Sequence, residues 1–146
     1  MSTRRHILLV EDNPDDAELT RIAHEEGGLV NQLIWLKDGA EALAHLLDDP
    51  ARELPELVLL DLKMPRVGGL EVLRRIRGDA RTRRLPVVIL TTSSEDVDLI
   101  DSYDLGANSY VRKPVDFDQF TRAVQQLKLY WLVLNEAPPL PRSSPS

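Results

Sequence analysis

Four segments of this sequence place a reactive side chain at the end of a short apolar run. The residues are Asp61 after 57–60, Glu11 and Asp12 after 7–10, Thr91 after 87–90, and Lys113 after 110–112. Short runs of leucine, isoleucine and valine that stop at turn residues are typical of buried strands. The carboxyl ends of parallel strands share one edge of the sheet, where open α/β sheets bind ligands. We therefore expect these five side chains to lie together.

The charges of this group indicate its chemistry. Carboxylates that are close together stay ionised at low cost only when a cation lies among them. The chain has no cysteine, and its three histidines show no ligand spacing, so an oxygen-ligated Mg²⁺ (or Mn²⁺) is favoured over zinc. A metal beside a lysine and a hydroxyl makes a pocket for a phosphoryl group, because phosphoryl transfer needs in-line positioning and charge neutralisation. Asp61 is the expected nucleophile, and an aspartyl phosphate the expected product.

The elements that would position these residues alternate along the chain. Predicted strands cover residues 6–10, 32–36, 57–61, 87–91 and 109–111, and predicted helices cover 14–28, 40–47, 69–77, 95–105 and 116–134. Asn13 is the expected N-cap of the first helix, with Pro14 at its first position. Strict alternation of strand and helix predicts a parallel sheet with helices on both faces. The proline- and serine-rich tail 135–146 is expected to be disordered.

Composition restricts the class of protein. A chain of 146 residues is expected to form one domain. Its net charge of −6 argues against general nucleic-acid binding. Neither a signal-peptide pattern nor an apolar run of transmembrane length is present, and the lack of cysteine fits a reducing compartment. We therefore expect a cytoplasmic protein with no membrane partner.

Taken together, the motifs resemble the receiver domain of two-component response regulators. The matching segments are Val10-Glu-Asp-Asn-Pro14, Leu60-Asp-Leu-Lys-Met-Pro65, Gly69, Leu90-Thr91 and Lys113-Pro114. The resemblance covers residues 5–134 and implies a flavodoxin-like α/β fold, a five-stranded parallel sheet of order 2-1-3-4-5. It also implies a signalling switch whose own chemistry is limited to phosphorylation and autodephosphorylation, rather than a metabolic enzyme.

The resemblance assigns a role to each residue of the group. Asp61 is the implied phosphoacceptor, and Mg²⁺ is implied to bind Asp12, Asp61, the backbone carbonyl of Lys63 and, through water, Glu11. Thr91 and Lys113 would contact the phosphoryl oxygens, and Tyr110 stands at the position of the family's switch aromatic. Individually, each residue also has an ordinary explanation as a helix cap, turn residue or solvated side chain.

Two positions depart from the commoner family pattern. Lys63 places a cation where a neutral side chain is frequent, and Thr92 is bulkier than the alanine or glycine often found there. Lys63 could compete with the metal, and Thr92 could shield the phosphoryl group from water. Both departures predict a relatively long-lived phosphoryl state.

A surplus of apolar side chains near the C-terminus predicts a contact with another protein. Residues 129–134 are apolar all round, more than one core-facing stripe requires. We expect a homodimer through the fourth helix, fifth strand and fifth helix, or else a longer helix that packs on its own domain. The residues of this expected face are Leu99, Tyr103, Tyr110, Leu129, Tyr130, Leu132 and Val133. The long fifth helix ending in Tyr130-Trp-Leu132, together with Ser102-Tyr-Asp-Leu105 and Leu90-Thr-Thr-Ser93, also resembles single-domain response regulators paired with phytochrome histidine kinases. This resemblance implies a sensor histidine kinase, a bacteriophytochrome, as partner.

Other functions stay open. A phosphate sink or a phosphorelay intermediate would use the same residues as a signal carrier. A magnesium-dependent phosphatase of the haloacid dehalogenase type also uses an aspartate at a strand end, but it needs a second acid two positions later, where this chain has Lys63. An arginine-rich stretch, 74–84, is expected to be a solvated helix end rather than a binding surface. Trp35 is expected to pack in the core or at the sheet edge.

Overall fold

The leucine- and valine-rich runs form a single five-stranded sheet. The computed structural model describes residues 6–26, 32–64, 66–91, 101, 104–113, 118 and 122, with the backbone alone at Thr91. The strands are β1 (Ile7–Val10), β2 (Leu33–Leu36), β3 (Leu57–Asp61), β4 (Val87–Thr91) and β5 (Ser109–Arg112). They lie in the order β2-β1-β3-β4-β5, and each neighbouring pair is parallel. The predicted fold class and strand order are confirmed.

The central strands are apolar except for Asp61 and Thr91, the last residues of β3 and β4, because both faces of these strands are covered. In β1 and β3 every residue is buried, as expected for a parallel sheet between two helical layers. Alternate side chains of one strand contribute to opposite layers. Leu8 and Val10 belong to the cluster that includes Leu73 of the third helix, whereas Leu9 belongs to the cluster that includes Ala17 of the first. The polar residues that end or follow the strands, such as Asp61, lie at the carboxyl edge of the sheet, between these two layers.

The described helices begin close to their predicted positions. They are α1 (Pro14–Glu26), α2 (Gly39–Leu43) and α3 (Gly69–Gly78). Asn13 caps α1 as predicted: its Oδ1 accepts hydrogen bonds from the backbone N–H groups of Asp15 and Asp16, at 2.8 and 3.1 Å. Asp38 caps α2 by accepting a hydrogen bond from the backbone N–H of Glu41 at 2.9 Å. These caps fix where each helix leaves the carboxyl edge.

The second helix differs from its prediction in the second half. Residues 40–47 were expected to form one α-helix, but α2 is followed by a π-helical segment, Ala44–Asp48. Carbonyl groups at the end of a helix need partners from elsewhere. Arg81 supplies one, because its Nη1 donates to the Leu46 carbonyl at 2.9 Å, and its Nη2 donates to the Arg52 carbonyl at 2.6 Å. The widened turn is therefore held by a side chain distant in sequence.

The arginine-rich stretch is only partly the solvated helix end that was expected. Arg74 is exposed and pairs with Glu71, as a solvated helix residue would. Arg77, in contrast, is half-buried and donates hydrogen bonds to the carbonyls of Gly106 and Leu85, at 2.7 Å in each case. Arg77 and Arg81 act as internal clamps, a role that the charge pattern did not indicate.

The C-terminal third of the chain lies largely outside the described residues. This applies to the predicted helices 95–105 and 116–134, except for isolated positions, and to the whole tail 135–146. Every helix within the described ranges falls short of the length and apolar character that crossing a membrane requires.

Candidate functional site

The carboxyl edge of the sheet brings together four of the five side chains that the sequence singled out. Asp61 is the last residue of β3, Glu11 and Asp12 directly follow β1, and Lys113 directly follows β5. Each of the three acidic residues has a carboxylate oxygen within 4.8 Å of the others. The fifth residue, Thr91, ends β4, where its backbone is paired with Arg112 and its side chain lies outside the described part of the structure.

Lys113 lies among carboxylates from three elements. Its Nζ is 2.6 Å from Glu11 Oε1, 3.0 Å from Asp16 Oδ2 and 3.4 Å from Asp61 Oδ1. Glu11 is fully buried, and the relative exposure of Asp61 is 4% and that of Lys113 is 9%. Asp12 is exposed, so the cluster opens to solvent on its side. One ammonium therefore faces more negative charge than it can neutralise.

The uneven charge perturbs the titration of both buried acids. Burial and the nearby Glu11 carboxylate raise the pKa of Asp61 to about 7, although Lys113 opposes the shift. Burial likewise raises the pKa of Glu11 in spite of its hydrogen bond with Lys113. Burial alone would lower the pKa of Lys113, yet hydrogen bonds with Glu11 and Asp16 raise it above its ordinary value. A divalent cation among these carboxylates would relieve their repulsion, so the cluster fits such an ion.

The backbone around Asp61 is fixed by the start of α3. The Gly69 N–H donates to the Leu62 carbonyl at 3.0 Å. A Cβ at Gly69 would lie 2.2 Å from the Asp61 carbonyl oxygen, a distance that no side chain tolerates. Glycine at this position lets the helix pack directly against the backbone of the nucleophile candidate. The close approach to the Asp61 carbonyl therefore explains why position 69 of the motif is a glycine.

Trp35 holds the other side of the cluster. Its Nε1–H donates to the Glu11 backbone carbonyl at 2.7 Å, and Lys37 Nζ lies 5.8 Å from its ring centroid. The indole is 39% exposed on β2, the edge strand, which agrees with the predicted sheet-edge location. Its hydrogen bond to the acidic loop was not predicted.

The remaining predicted residues divide between described and undescribed positions. Lys63 is exposed, and Tyr110 is half-buried on β5 and packs against the layer that contains α3. Thr92 and most of the expected dimer face lie outside the described residues. These face residues are Leu99, Tyr103, Leu129, Tyr130, Leu132 and Val133.

Further polar contacts were not predicted from the sequence. Asp16 reaches Lys113 from the first turn of α1, and the only advance signal was its closeness to the predicted N-cap, Asn13. At the opposite end of β1, His6 Nε2 lies 3.2 Å from His45 Nε2, and Arg52 Nη1 lies 3.0 Å from His45 Nδ1. These residues are too far apart in sequence for spacing to reveal their contact.

Comparison with known proteins agrees with this geometry. The family model described as the response regulator receiver domain matches residues 7–125. The probable methanogenesis regulatory protein FilR2 of Methanothrix harundinacea (strain 6Ac) is 46% identical over 134 residues, which cover 90% of this chain and 86% of that protein.

Two solved structures extend the comparison to the fold. The bacteriophytochrome response regulator RtBRR is 46% identical, with a TM-score of 0.79 over 94% of this chain and 86% of that chain. The Mn²⁺-bound form of response regulator Rcp1 is 36% identical, with a TM-score of 0.74 over 94% of this chain and 99% of that chain. The matched segment includes every residue of the acidic cluster together with Lys113. This chain belongs to the response regulator receiver domain family.

Proposed function

We propose that this chain is a response regulator that accepts a phosphoryl group on Asp61 from a sensor histidine kinase and signals through protein contacts. The observation that carries the proposal is the convergence of Glu11, Asp12, Asp61 and Lys113 at one edge of the sheet. A buried carboxylate beside a lysine and two further acids is suited to accept a phosphoryl group once a metal balances the charge.

The proposed transfer forms one bond and breaks one. An Asp61 carboxylate oxygen attacks phosphorus, and a P–O bond forms as the P–N bond of a phosphohistidine breaks. The imidazole leaves with the electron pair of that bond. Asp61 must be ionised to attack, and a cation in the cluster favours that form. Lys113, already 3.4 Å from Asp61 Oδ1, is placed to pair with an incoming phosphoryl oxygen.

The metal in this proposal is Mg²⁺ (or Mn²⁺). Asp12, Asp61 and the backbone carbonyl of Lys63 would hold it directly, and Glu11 would act through a water molecule. When bound, the metal neutralises the charge that develops on the phosphoryl oxygens. The contact of Glu11 with Lys113 at 2.6 Å favours this indirect role, since the Glu11 carboxylate already has a cationic partner.

The signal would leave the site through the neighbouring strands. Thr91 would bond the phosphoryl group, and Tyr110 would then turn inward on β5, which changes the affinity of that face for partners. Tyr110 begins half-buried, so an inward turn is a limited movement. Lys63 and Thr92 would lengthen the phosphoryl lifetime, because the family pattern commonly has a neutral side chain at the first position and a smaller one at the second.

The proposed partners are a sensor histidine kinase and a second copy of this chain. The similarity to RtBRR supports a bacteriophytochrome as the histidine kinase. The proposed homodimer uses the face defined above from Leu99 to Val133, within a receiver domain that spans 5–134. We place the protein in the cytoplasm, where a kinase would reach it. A signal carrier, a phosphate sink and a relay intermediate would differ only in the fate of the phosphoryl group after Asp61 has accepted it.

The test of this function is the intact mass of the protein after incubation with Mg²⁺ and acetyl phosphate. Wild type is expected to gain a single phosphoryl group, because Asp61 alone has the position of the nucleophile. Asp61→Asn is expected to gain none. Asp48→Asn serves as a matched control, since Asp48 is exposed and lies in a different element, and it is expected to behave as wild type.

Two results would contradict the proposal. One is an unmodified wild-type protein under conditions in which Mg²⁺ binding is confirmed by titration. The other is an adduct that persists in Asp61→Asn, which would place the acceptor elsewhere.

A further inference from the structure

We infer that Asp16 is a positioning residue that holds Lys113 away from Asp61 before phosphorylation, and so slows phosphoryl acceptance. The inference rests on the proposed function and concerns how that site is restrained. Its starting point is a contact that the family motif does not include: the hydrogen bond from Lys113 Nζ to Asp16 Oδ2, at 3.0 Å.

The geometry of the ammonium supports this role. Lys113 Nζ is closer to Glu11 and Asp16, at 2.6 and 3.0 Å, than to Asp61, at 3.4 Å. A lysine ammonium has three donors and no acceptor, so each strong contact commits one donor. Asp16 therefore holds a donor that a phosphoryl group on Asp61 would otherwise engage.

Asp16 is itself firmly placed. It lies in the first turn of α1, where its backbone N–H donates to Asn13 Oδ1 at 3.1 Å. Its backbone carbonyl accepts a hydrogen bond from Thr20 Oγ1 at 3.0 Å. A carboxylate in the first turn also interacts favourably with the helix dipole. Because α1 fixes the backbone of Asp16, the contact with Lys113 can break only by rotation of one of the two side chains when a phosphoryl group arrives.

The negative charge of Asp16 should also slow phosphoryl acceptance. An approaching phosphodonor is an anion and meets Glu11, Asp12 and Asp61 at the cluster. Asp16 adds a further negative charge beside Lys113, whose ammonium contacts Glu11 and Asp61. Removal of its carboxylate should release the ammonium and reduce the repulsion of the donor.

The neighbouring residue provides a matched control. Asp15 lies in the same first turn and carries the same charge, but it is exposed, and Lys113 has no described ion pair with it. Asp15→Ala and Asp16→Ala therefore change net charge equally and share the long-range electrostatic effect. The difference between them isolates the contact with Lys113.

The experiment measures the rate constant for phosphorylation by acetyl phosphate, at saturating Mg²⁺, by intact mass. Asp16→Ala is expected to react roughly three- to tenfold faster than Asp15→Ala, the range for one charge-assisted hydrogen bond discounted for solvent exposure. Asp16→Asn should fall between wild type and Asp16→Ala, because its amide oxygen accepts a hydrogen bond without a charge. A purely structural role would not accelerate the reaction, and thermal unfolding of each variant checks the fold.

The outcomes separate the two proposals. A wild type that becomes phosphorylated, with Asp16→Ala reacting at the rate of Asp15→Ala or more slowly, would overturn this inference and leave the proposed function intact. A wild type that accepts no phosphoryl group would overturn both.

Discussion

Polar clusters lie at both ends of β1, and burial shifts the pKa values of their titratable groups in opposite directions. At the carboxyl end, the buried Glu11 and Asp61 share a single lysine, and burial raises the pKa of both acids. At the amino end, His6 and His45 form a short chain with Arg52, and burial lowers the pKa of both imidazoles. The carboxyl-end cluster has more negative than positive charge, whereas the low pKa values at the amino end favour neutral imidazoles.

The hydrogen bonds of the amino end require neutral rings. A guanidinium can only donate, so Arg52 Nη1 donates to an unprotonated His45 Nδ1. The Nε2–H of His45 can then donate to His6 Nε2 at 3.2 Å. Every ring nitrogen in these contacts has a compatible partner. The same sheet thus carries a cluster whose ring nitrogens have partners and, at its carboxyl edge, a cluster with an excess of negative charge.

Removal of the lysine from the carboxyl end of β1 should have the largest effect on stability. Lys113→Met leaves Glu11 and Asp61 buried without their cation, which should lower the free energy of unfolding by about 3–5 kcal/mol in metal-free buffer. Added Mg²⁺ should restore part of this loss, because it supplies positive charge. Denaturant unfolding with and without Mg²⁺ measures both effects. Lys37→Met, at an exposed lysine, is the control and should change stability little.

The pH dependence of stability should reflect the raised pKa of Asp61 at the carboxyl end. The ordinary pKa of an aspartate is 3.8, and burial in the folded, metal-free protein raises the pKa of Asp61 to about 7. Because the folded state binds this proton more tightly, the free energy of unfolding should fall by on the order of 2 kcal/mol as pH rises from about 4 to about 7. Asp61→Asn should remove this decline. An Asp61→Asn protein that kept the same decline would show that another group is responsible.

The amino end should give a smaller effect of opposite sign. Both imidazoles have folded pKa values below 6.5, so their contribution to stability is present above that pH and is lost as pH falls below it. Glu53 opposes the shift of His6, which reduces the contribution of that imidazole. The effect is best measured in Asp61→Asn, where the Asp61 part of the opposing decline is absent and the part from Glu11 remains. Adding His6→Gln and His45→Gln should flatten the remaining slope, and an unchanged slope would contradict this assignment.

The fold and the centre of the site could be predicted because their signals are local. Buried parallel strands are apolar along most of their length, so the sequence runs of β1, β3 and β4 were evident from composition, with Asp61 and Thr91 as the polar ends of β3 and β4. Parallel pairing then requires strand-end residues to share one edge of the sheet. This rule predicted from the sequence that Glu11, Asp61 and Lys113 lie close together. The Asn13 cap was also evident, because its chemistry involves only neighbouring residues.

The missed contacts depend on how elements pack. Asp16 meets Lys113 only because α1 lies at a particular rotation against the end of β5, and no local pattern specifies that rotation. His6 and His45 meet where the start of β1 faces the end of the second helix. The π-helical segment likewise depends on Arg81, whose guanidinium reaches back to the Leu46 carbonyl.

The clamp formed by Arg77 has a consequence for the order in which this protein opens. One guanidinium binds the carbonyls of Arg83, Leu85 and Gly106 and the side chain of Asn108. Asn108 in turn accepts a hydrogen bond from the Val87 backbone N–H at 2.8 Å. Release of this one side chain would deprive the end of α3 and the approaches to β4 and β5 of partners at once. These segments should therefore exchange their amide hydrogens as a single cooperative unit.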